Sequence, residues 1–126
     1  MSYACLAPND RKPFHFYEKI NDNNDPNSLD TNGIQWACID YYIENLVLPV
    51  RSVLQAKGED LYIVLTYVDF KQARQSSNLS HAKAPEEYAE LIEAAFLHMH
   101  DKYSLVPDAF ELVLEPNNTS DWGPKN

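Results

Sequence analysis

Basic side chains are scarce in this chain: 10 Lys and Arg stand against 19 Asp and Glu in 126 residues, for a formal net charge of −9. Nucleic-acid binding draws on Lys and Arg that displace counterions from phosphate, so this balance argues against a nucleic-acid partner. No basic cluster offers a contact for an anionic membrane surface either. Long apolar runs are also missing, and nothing approaches the ~20 residues of a membrane-spanning helix. Cysteine is limited to Cys5 and Cys38, too few for a disulfide framework and without metal-type spacing. Cys5 sits in an apolar run and Cys38 in an expected helix, so both read as buried free thiols. The opening MSYACLAPND has no basic n-region and only a short apolar stretch, so no secretory signal is legible. Without one, the formal sequons at Asn78, Asn117 and Asn118 acquire no role. No pattern asks for a cofactor.

What is present suffices for a core. Hydrophobic residues make up 44 %, with eight Tyr, five Phe and two Trp, so residues 1–126 read as a single domain, long enough for one core and too short for two. A neutral polyol such as a carbohydrate is a partner compatible with the acidic balance.

Residues 3–7, YACLA, suggest a short strand closed by the turn formers Pro8, Asn9 and Asp10. From there to Gly33 the chain is polar and without periodicity, and Phe14, Phe16 and Tyr17 argue for an ordered loop anchored by aromatics. Residues 34–57 read as a helix whose stripe is Ile34, Cys38, Tyr42, Leu46, Val50 and Val53 or Leu54. Gly58 marks its stop, and Pro49 should kink or divide it. DLYIVLTYVDF follows, apolar on both faces, as in a strand covered on both sides. Pro85, Glu86 and Glu87 then open a second helix. Its stripe of Tyr88, Leu91, Ile92, Ala95, Phe96, Met99 and Tyr103 runs to about Tyr103. ELVLEPNN ends the order as a third strand, with Glu111, Val113 and Glu115 on one face and Glu115 carried to its carboxyl end beside Pro116. Strand, helix, strand, helix, strand is the order of an α/β fold with a parallel three-stranded βαβαβ sheet. Two open sheet edges then predict a homo-oligomer.

In parallel α/β sheets ligands bind outside the carboxyl ends of the strands. Three loops leave those ends. They bring Tyr17, Glu18, Asp22 and Asp25 from the first, Tyr67, Asp69 and His81 from the second, and Glu115, Asn117, Asn118 and Trp122 from the third. Carboxylates beside aromatic rings suit sugar chemistry, where one acid protonates the leaving oxygen and another stabilises or attacks the anomeric carbon. The tract NDNNDP lacks the glycine and the distal glutamate of an EF-hand loop, so no metal site is expected. His98 and His100, two residues apart on a helix, do not share a face and read as a solvated pair. No serine or cysteine stands in the context of an activated nucleophile.

The stretch LVLEPNN, preceded by PEEYAELIEAAFLHMHDKYSLVPDAFE, resembles the region around the fourth strand of clan A (β/α)8-barrel glycoside hydrolases. That clan carries its general acid/base glutamate at the end of this strand, usually as Asn-Glu-Pro. Glu115, with Pro116 and Asn117, falls on the motif, and Leu114 takes the place of the usual asparagine. The resemblance implies that the chain corresponds to the second to fourth βα units of a TIM barrel. Glu115 would then hold the acid/base position, and Tyr17, Glu18, Tyr67, Asp69, Asn117 and Trp122 would face the substrate. It also implies that the clan's second glutamate, the nucleophile on the seventh strand, is missing here, so that the expectation is a glycoside-hydrolase-like segment inactive in isolation, with a non-catalytic carbohydrate-binding or interaction module of α/β class as the alternative.

Overall fold

The structure, a computed structural model, describes residues 5–6, 13–14, 22–23, 25–30, 32–67 and 84–112. Eight elements follow in order among these residues. They are β1 (Cys5–Leu6), β2 (Pro13–Phe14), α1 (Ala37–Tyr42), a π-helical turn (Ile43–Val47), α2 (Leu48–Gln55), β3 (Val64–Thr66), α3 (Pro85–Tyr103) and β4 (Ala109–Glu111).

The expected three-stranded parallel sheet does not form. Among the described residues only β3 and β4 run parallel, with Val64, Leu65 and Thr66 opposite Ala109, Phe110 and Glu111. β1 pairs antiparallel with β2 instead, Cys5 opposite Phe14 and Leu6 opposite Pro13. The physical reason is proximity in the chain. A strand a few residues downstream closes a short loop, whereas a parallel neighbour requires a crossover of a dozen or more residues. What remains of the expected topology is one β3–α3–β4 unit. β3 is also not covered on both sides as its apolar sequence suggested, since Tyr62 and Val64 are exposed.

α3 matches its expected bounds and its expected face. Pro85 occupies the first turn, where its missing N–H is no loss, and Glu86 and Glu87 meet the positive end of the helix. Ser104 in the left-handed region ends it, at φ 50°. Leu91 and Ala94 pack with Ile34 and Tyr67 in one core cluster, joined by Trp36, Tyr88 and Phe110. Met99, Ile43 and Leu105 form a second, joined by Val47, Leu48, Ile63 and Leu65. Burying such side chains stabilises the fold by about 1.5–3 kcal/mol each.

The first helix departs from expectation in phase. Of the expected stripe, Ile34 and Cys38 are buried and Leu54 is half-buried, but Tyr42, Leu46, Val50 and Val53 are exposed, Leu46 to 55 %, while Ile43 is buried and Val47 half-buried. A π-helical turn interrupts the helix at Ile43–Val47. Pro49 has no N–H and its ring crowds the carbonyl four residues back, that of Asn45. The helix relieves this by widening, and the Leu48 N–H reaches back five residues to the Ile43 carbonyl. The Asn45 side-chain amide donates to the Tyr41 carbonyl at 2.8 Å. The inward face runs through Ile39, Ile43, Val47 and Leu48, which pack in one core cluster, in place of the expected Tyr42 and Leu46. The end is as expected: Gly58, at φ 76°, lets its own N–H reach the Gln55 carbonyl at 3.0 Å and that of Glu59 reach Leu54 at 3.0 Å, a Schellman motif.

Cys38 is buried and disulfide-bonded, which corrects the free-thiol expectation for that residue. An apolar setting is shared by a buried thiol and a buried bridge, so the sequence around it does not distinguish them.

Candidate functional site

The β3–α3–β4 unit has two ends with different chemistry. At the amino end, the Ile63 N–H donates to Asp108 Oδ2 at 2.7 Å and the Asp108 N–H returns to the Ile63 carbonyl at 2.9 Å. These reciprocal bonds fix the register of the strand pair. A polar cleft of about 240 Å³ opens there, between Arg51, Asp60, Ile63 and Asp108.

At the carboxyl end the strands deliver Tyr67 and Leu112 to the first turns of α3. Tyr88 donates its hydroxyl to the Leu112 carbonyl at 2.7 Å, and its ring lies 4.6 Å from that of Tyr67. The Tyr67 N–H extends the ladder to the Glu111 carbonyl at 3.4 Å. Below this layer a small apolar cleft of about 50 Å³ lies between Trp36, Ile39, Leu65, Tyr67, Leu91 and Phe110. Tyr67 is thus at the expected strand end but buried, as a wall of the core rather than a surface for a ligand. The other expected site residues, Tyr17, Glu18, Asp69, Glu115, Asn117 and Trp122, lie outside the described residues.

Beside Tyr88, three carboxylates converge. Asp22, Glu87 and Glu90 each place an oxygen within 4.8 Å of the others. Glu87 and Glu90 are three residues apart on α3 and so share a face. Asp22 reaches them from the loop before α1. Its Oδ2 accepts from Asn23 Nδ2 at 3.1 Å and from the Asp30 N–H. Gly33 lies so close behind it that a Cβ there would stand 2.5 Å from the Asp22 Cβ. Only glycine permits that approach. Asp25, further along the loop, caps its own turn by accepting from the Asn27 N–H at 3.1 Å.

Among the described residues no Lys, Arg or His pairs with this cluster. Glu90 is 7 % exposed, and its Oε2, like that of Glu87, is buried without a hydrogen-bond partner. Burial first, then the charges of Asp22, Glu87 and nearby Asp25, push the Glu90 carboxyl up from its usual value; burial, Asp22 and Asp25 do the same to Glu87. Asp22 was among the residues the sequence placed on this rim. Glu87 was legible only as a helix-start acid, and Glu90 was missed. The signal was there: Glu90 precedes Ala94 by one helical turn, on the inward face of an amphipathic helix where a charge is out of place.

A second polar cluster joins α1 and its π turn to the last turns of α3. His98 Nε2 meets Asp40 Oδ1 at 2.6 Å, Lys102 Nζ donates to Asp40 Oδ2 at 2.8 Å, and Tyr103 donates to Glu44 at 2.6 Å. Trp36 stacks on the His98 ring, with centroids 4.5 Å apart. His98 is therefore not one of a solvated pair: its side chain is 17 % exposed, against 64 % for His100. Burial alone would raise the Asp40 carboxyl, but the bonds from His98 and Lys102 hold it below its usual value. Asp40 in turn pushes the Lys102 ammonium well up. Burial, followed by the bond to Glu44, pushes the Tyr103 phenol up to about 12. Every charged member here has a partner, so the cluster is a clamp between helices.

None of the helices is long and apolar enough to cross a membrane, among the described residues. Comparison of the chain with protein-family models, with curated proteins and with solved structures finds no match.

Proposed function

We propose that the chain is a carbohydrate-facing binding module of α/β class whose working surface is the carboxyl end of the β3–α3–β4 unit. The observation that carries this reading is the parallel pairing of β3 with β4 through α3, because ligands of such units bind outside the carboxyl ends of the strands. The acidic Asp22, Glu87 and Glu90 gather at that end, and carboxylates accept hydrogen bonds from sugar hydroxyls without needing a charged ligand. Glu115 follows Leu112 by three residues in the sequence, and its motif gives it the acid/base position in the proposal. Binding is the activity proposed. Hydrolysis with retention would require a second carboxyl roughly 5–5.5 Å from Glu115.

Titrating the 15N-labelled protein with neutral oligosaccharides tests the reading. Amide shifts should concentrate at Tyr67, Tyr88 and Leu112 and leave Ile63 and Asp108 at the opposite end unmoved, and Glu115→Gln should weaken them. Shifts confined to the amino-end cleft, or none with any sugar, remove the proposal. Self-association belongs to the same reading. Neither β3 nor β4 pairs with a further strand among the described residues, and Val64 and Leu112 beside them are exposed, which supports pairing with a second copy. A strict monomer by light scattering at micromolar concentration would remove that part alone.

A further inference from the structure

Three carboxylates packed together in a stable protein need an explanation, and the usual ones fail here. An acid pair is commonly relieved by Lys or Arg, but among the described residues the bases His98 and Lys102 lie towards the other end of α3 and are engaged with Asp40 and Glu44 instead. The positive end of a helix also favours acids, but the effect falls off within the first turn. Pro85 begins α3, so Glu90 lies in the second turn. Hydrogen bonds could satisfy the oxygens. They reach Asp22, yet Glu90 Oε2 and Glu87 Oε2 remain buried and unpartnered. A buried oxygen without a donor has given up its hydration with nothing in return, the more costly when it is charged. Such a group is expected to have a partner that the polypeptide itself does not supply.

We propose that Asp22, Glu87 and Glu90 form a binding site for a hard divalent cation, with Ca²⁺ as the fitting ion. The donor set is carboxylate oxygen only, which suits calcium, magnesium or manganese and disfavours ions that seek imidazole or thiolate. Coordination flexibility decides among them. Calcium accepts irregular sets of six to eight oxygens, while magnesium demands near-ideal octahedral geometry and gives up its waters reluctantly. The three oxygens here, within 4.8 Å of one another and drawn from a helix and a loop, form such an irregular set that an ion would draw together. Three carboxylates also over-compensate two positive charges, leaving a site of net −1 completed by water.

The construction of the site supports the assignment. Glu87 and Glu90 come from one rigid helix, and Asp22 is set against them by the Asp30 N–H, the Asn23 amide and the close backbone of Gly33. Both hydrogen bonds fall on Oδ2, so the second oxygen of Asp22 is not consumed by them. The ion would thereby tie the loop before α1 to the start of α3. It is not an EF-hand: its ligands are far apart in sequence, which is why inspection of NDNNDP alone does not reveal it. The ion would take the same carboxylates that the proposed sugar rim offers, but Ca²⁺ binding is read without sugar, so the failure of one reading does not decide the other.

Calorimetric titration of the metal-stripped full chain with CaCl2, alongside thermal melts in CaCl2, MgCl2 and NaCl of matched ionic strength, tests it. One equivalent of Ca²⁺ should bind saturably, with a dissociation constant on the order of 0.1–1 mM or tighter. Ca²⁺ should raise the melting temperature more than Mg²⁺ does, and NaCl should not reproduce the effect. Glu90→Gln should weaken Ca²⁺ binding at least tenfold while raising the melting temperature of the metal-free protein, a combination that a purely structural glutamate would not give. Asp22→Asn, at a more exposed position, should also weaken binding and serves if the first variant misfolds. A folded protein that shows no saturable Ca²⁺ binding to about 10 mM, well beyond the weak range of such sites, overturns the proposal. So does binding that both variants leave unchanged, or equal responses to all three salts.

Discussion

The two ends of α3 meet acids in opposite ways. Near its last turns, Asp40 accepts from His98 and Lys102, and Glu44 from Tyr103. Near its first turns, Glu87 and Glu90 face Asp22 with no base beside them among the described residues. The first setting holds the Asp40 carboxyl below its usual value and the second pushes those of Glu87 and Glu90 above theirs. The sign of the shift therefore separates a contact that holds the fold together from one that strains it. A strained acid cluster is where an external partner has the most to contribute.

The largest expected effect comes from breaking the paired end. Asp40→Ala should lower the stability measured by urea denaturation by roughly 1.5–3 kcal/mol, the range for hydrogen bonds to charged groups. It leaves the half-buried His98 without its acceptor. A loss no greater than that of a surface substitution would show that the clamp is decorative.

The unpaired end should respond in the opposite direction, and by less. In the absence of divalent cations, Glu90→Gln should stabilise the protein by roughly 1 kcal/mol, because it removes a charge from a place that resists it. Destabilisation by that change would mean that the cluster holds itself together and would erase the contrast between the two ends.

Acid sharpens the comparison further. The Asp40 carboxyl is depressed in the folded state, so its contribution is complete above the unfolded value and is lost as pH falls through the lower folded one. The Glu87 and Glu90 carboxyls are raised, so their penalty is complete above the folded values and disappears as pH falls towards the ordinary glutamate range. The advantage of Glu90→Gln over wild type should accordingly shrink between neutral pH and about pH 4, while the defect of Asp40→Ala persists there and fades only in stronger acid. Urea midpoints across that range check both slopes. The smallest effect belongs to His100, whose ion pair with Asp101 is solvent-exposed on both sides. His100→Ala should change stability by less than about 0.5 kcal/mol.

Legibility in the sequence followed the locality of the causes. α3 was readable from end to end because Pro85, the two acids after it and a regular apolar period all lie within the segment they specify. Gly58 was readable for the same reason. The phase of α1 and α2 was not, since a proline announces a disturbance without stating whether the helix will bend, break or widen. Pairing of β1 with β2 was hidden by the shortness of both strands, which give no alternation to follow. Tyr67 was placed at the right strand end and with the wrong exposure, because the groups that cover it, the Tyr88 ring, Leu91 and Ala94 of α3 and Ile34, are far from it in sequence. The acid cluster depended on a contact between positions 22 and 90, and no spacing rule spans that distance. Glu90 alone carried a local clue, as a charge on an inward face.

The widened turn at Ile43–Val47 has a consequence for chain length. In a regular helix, losing one residue turns all that follows by about 100° and misaligns both halves. Here the extra residue is already present, so removing one residue from the turn would restore an ordinary helix and keep both flanks in their places. Pro49 stands in the way, because its ring would then meet a carbonyl that the wide turn now holds clear. Deletion and proline are therefore linked: shortening this helix by one residue is a tolerable event only in a chain that has also exchanged Pro49.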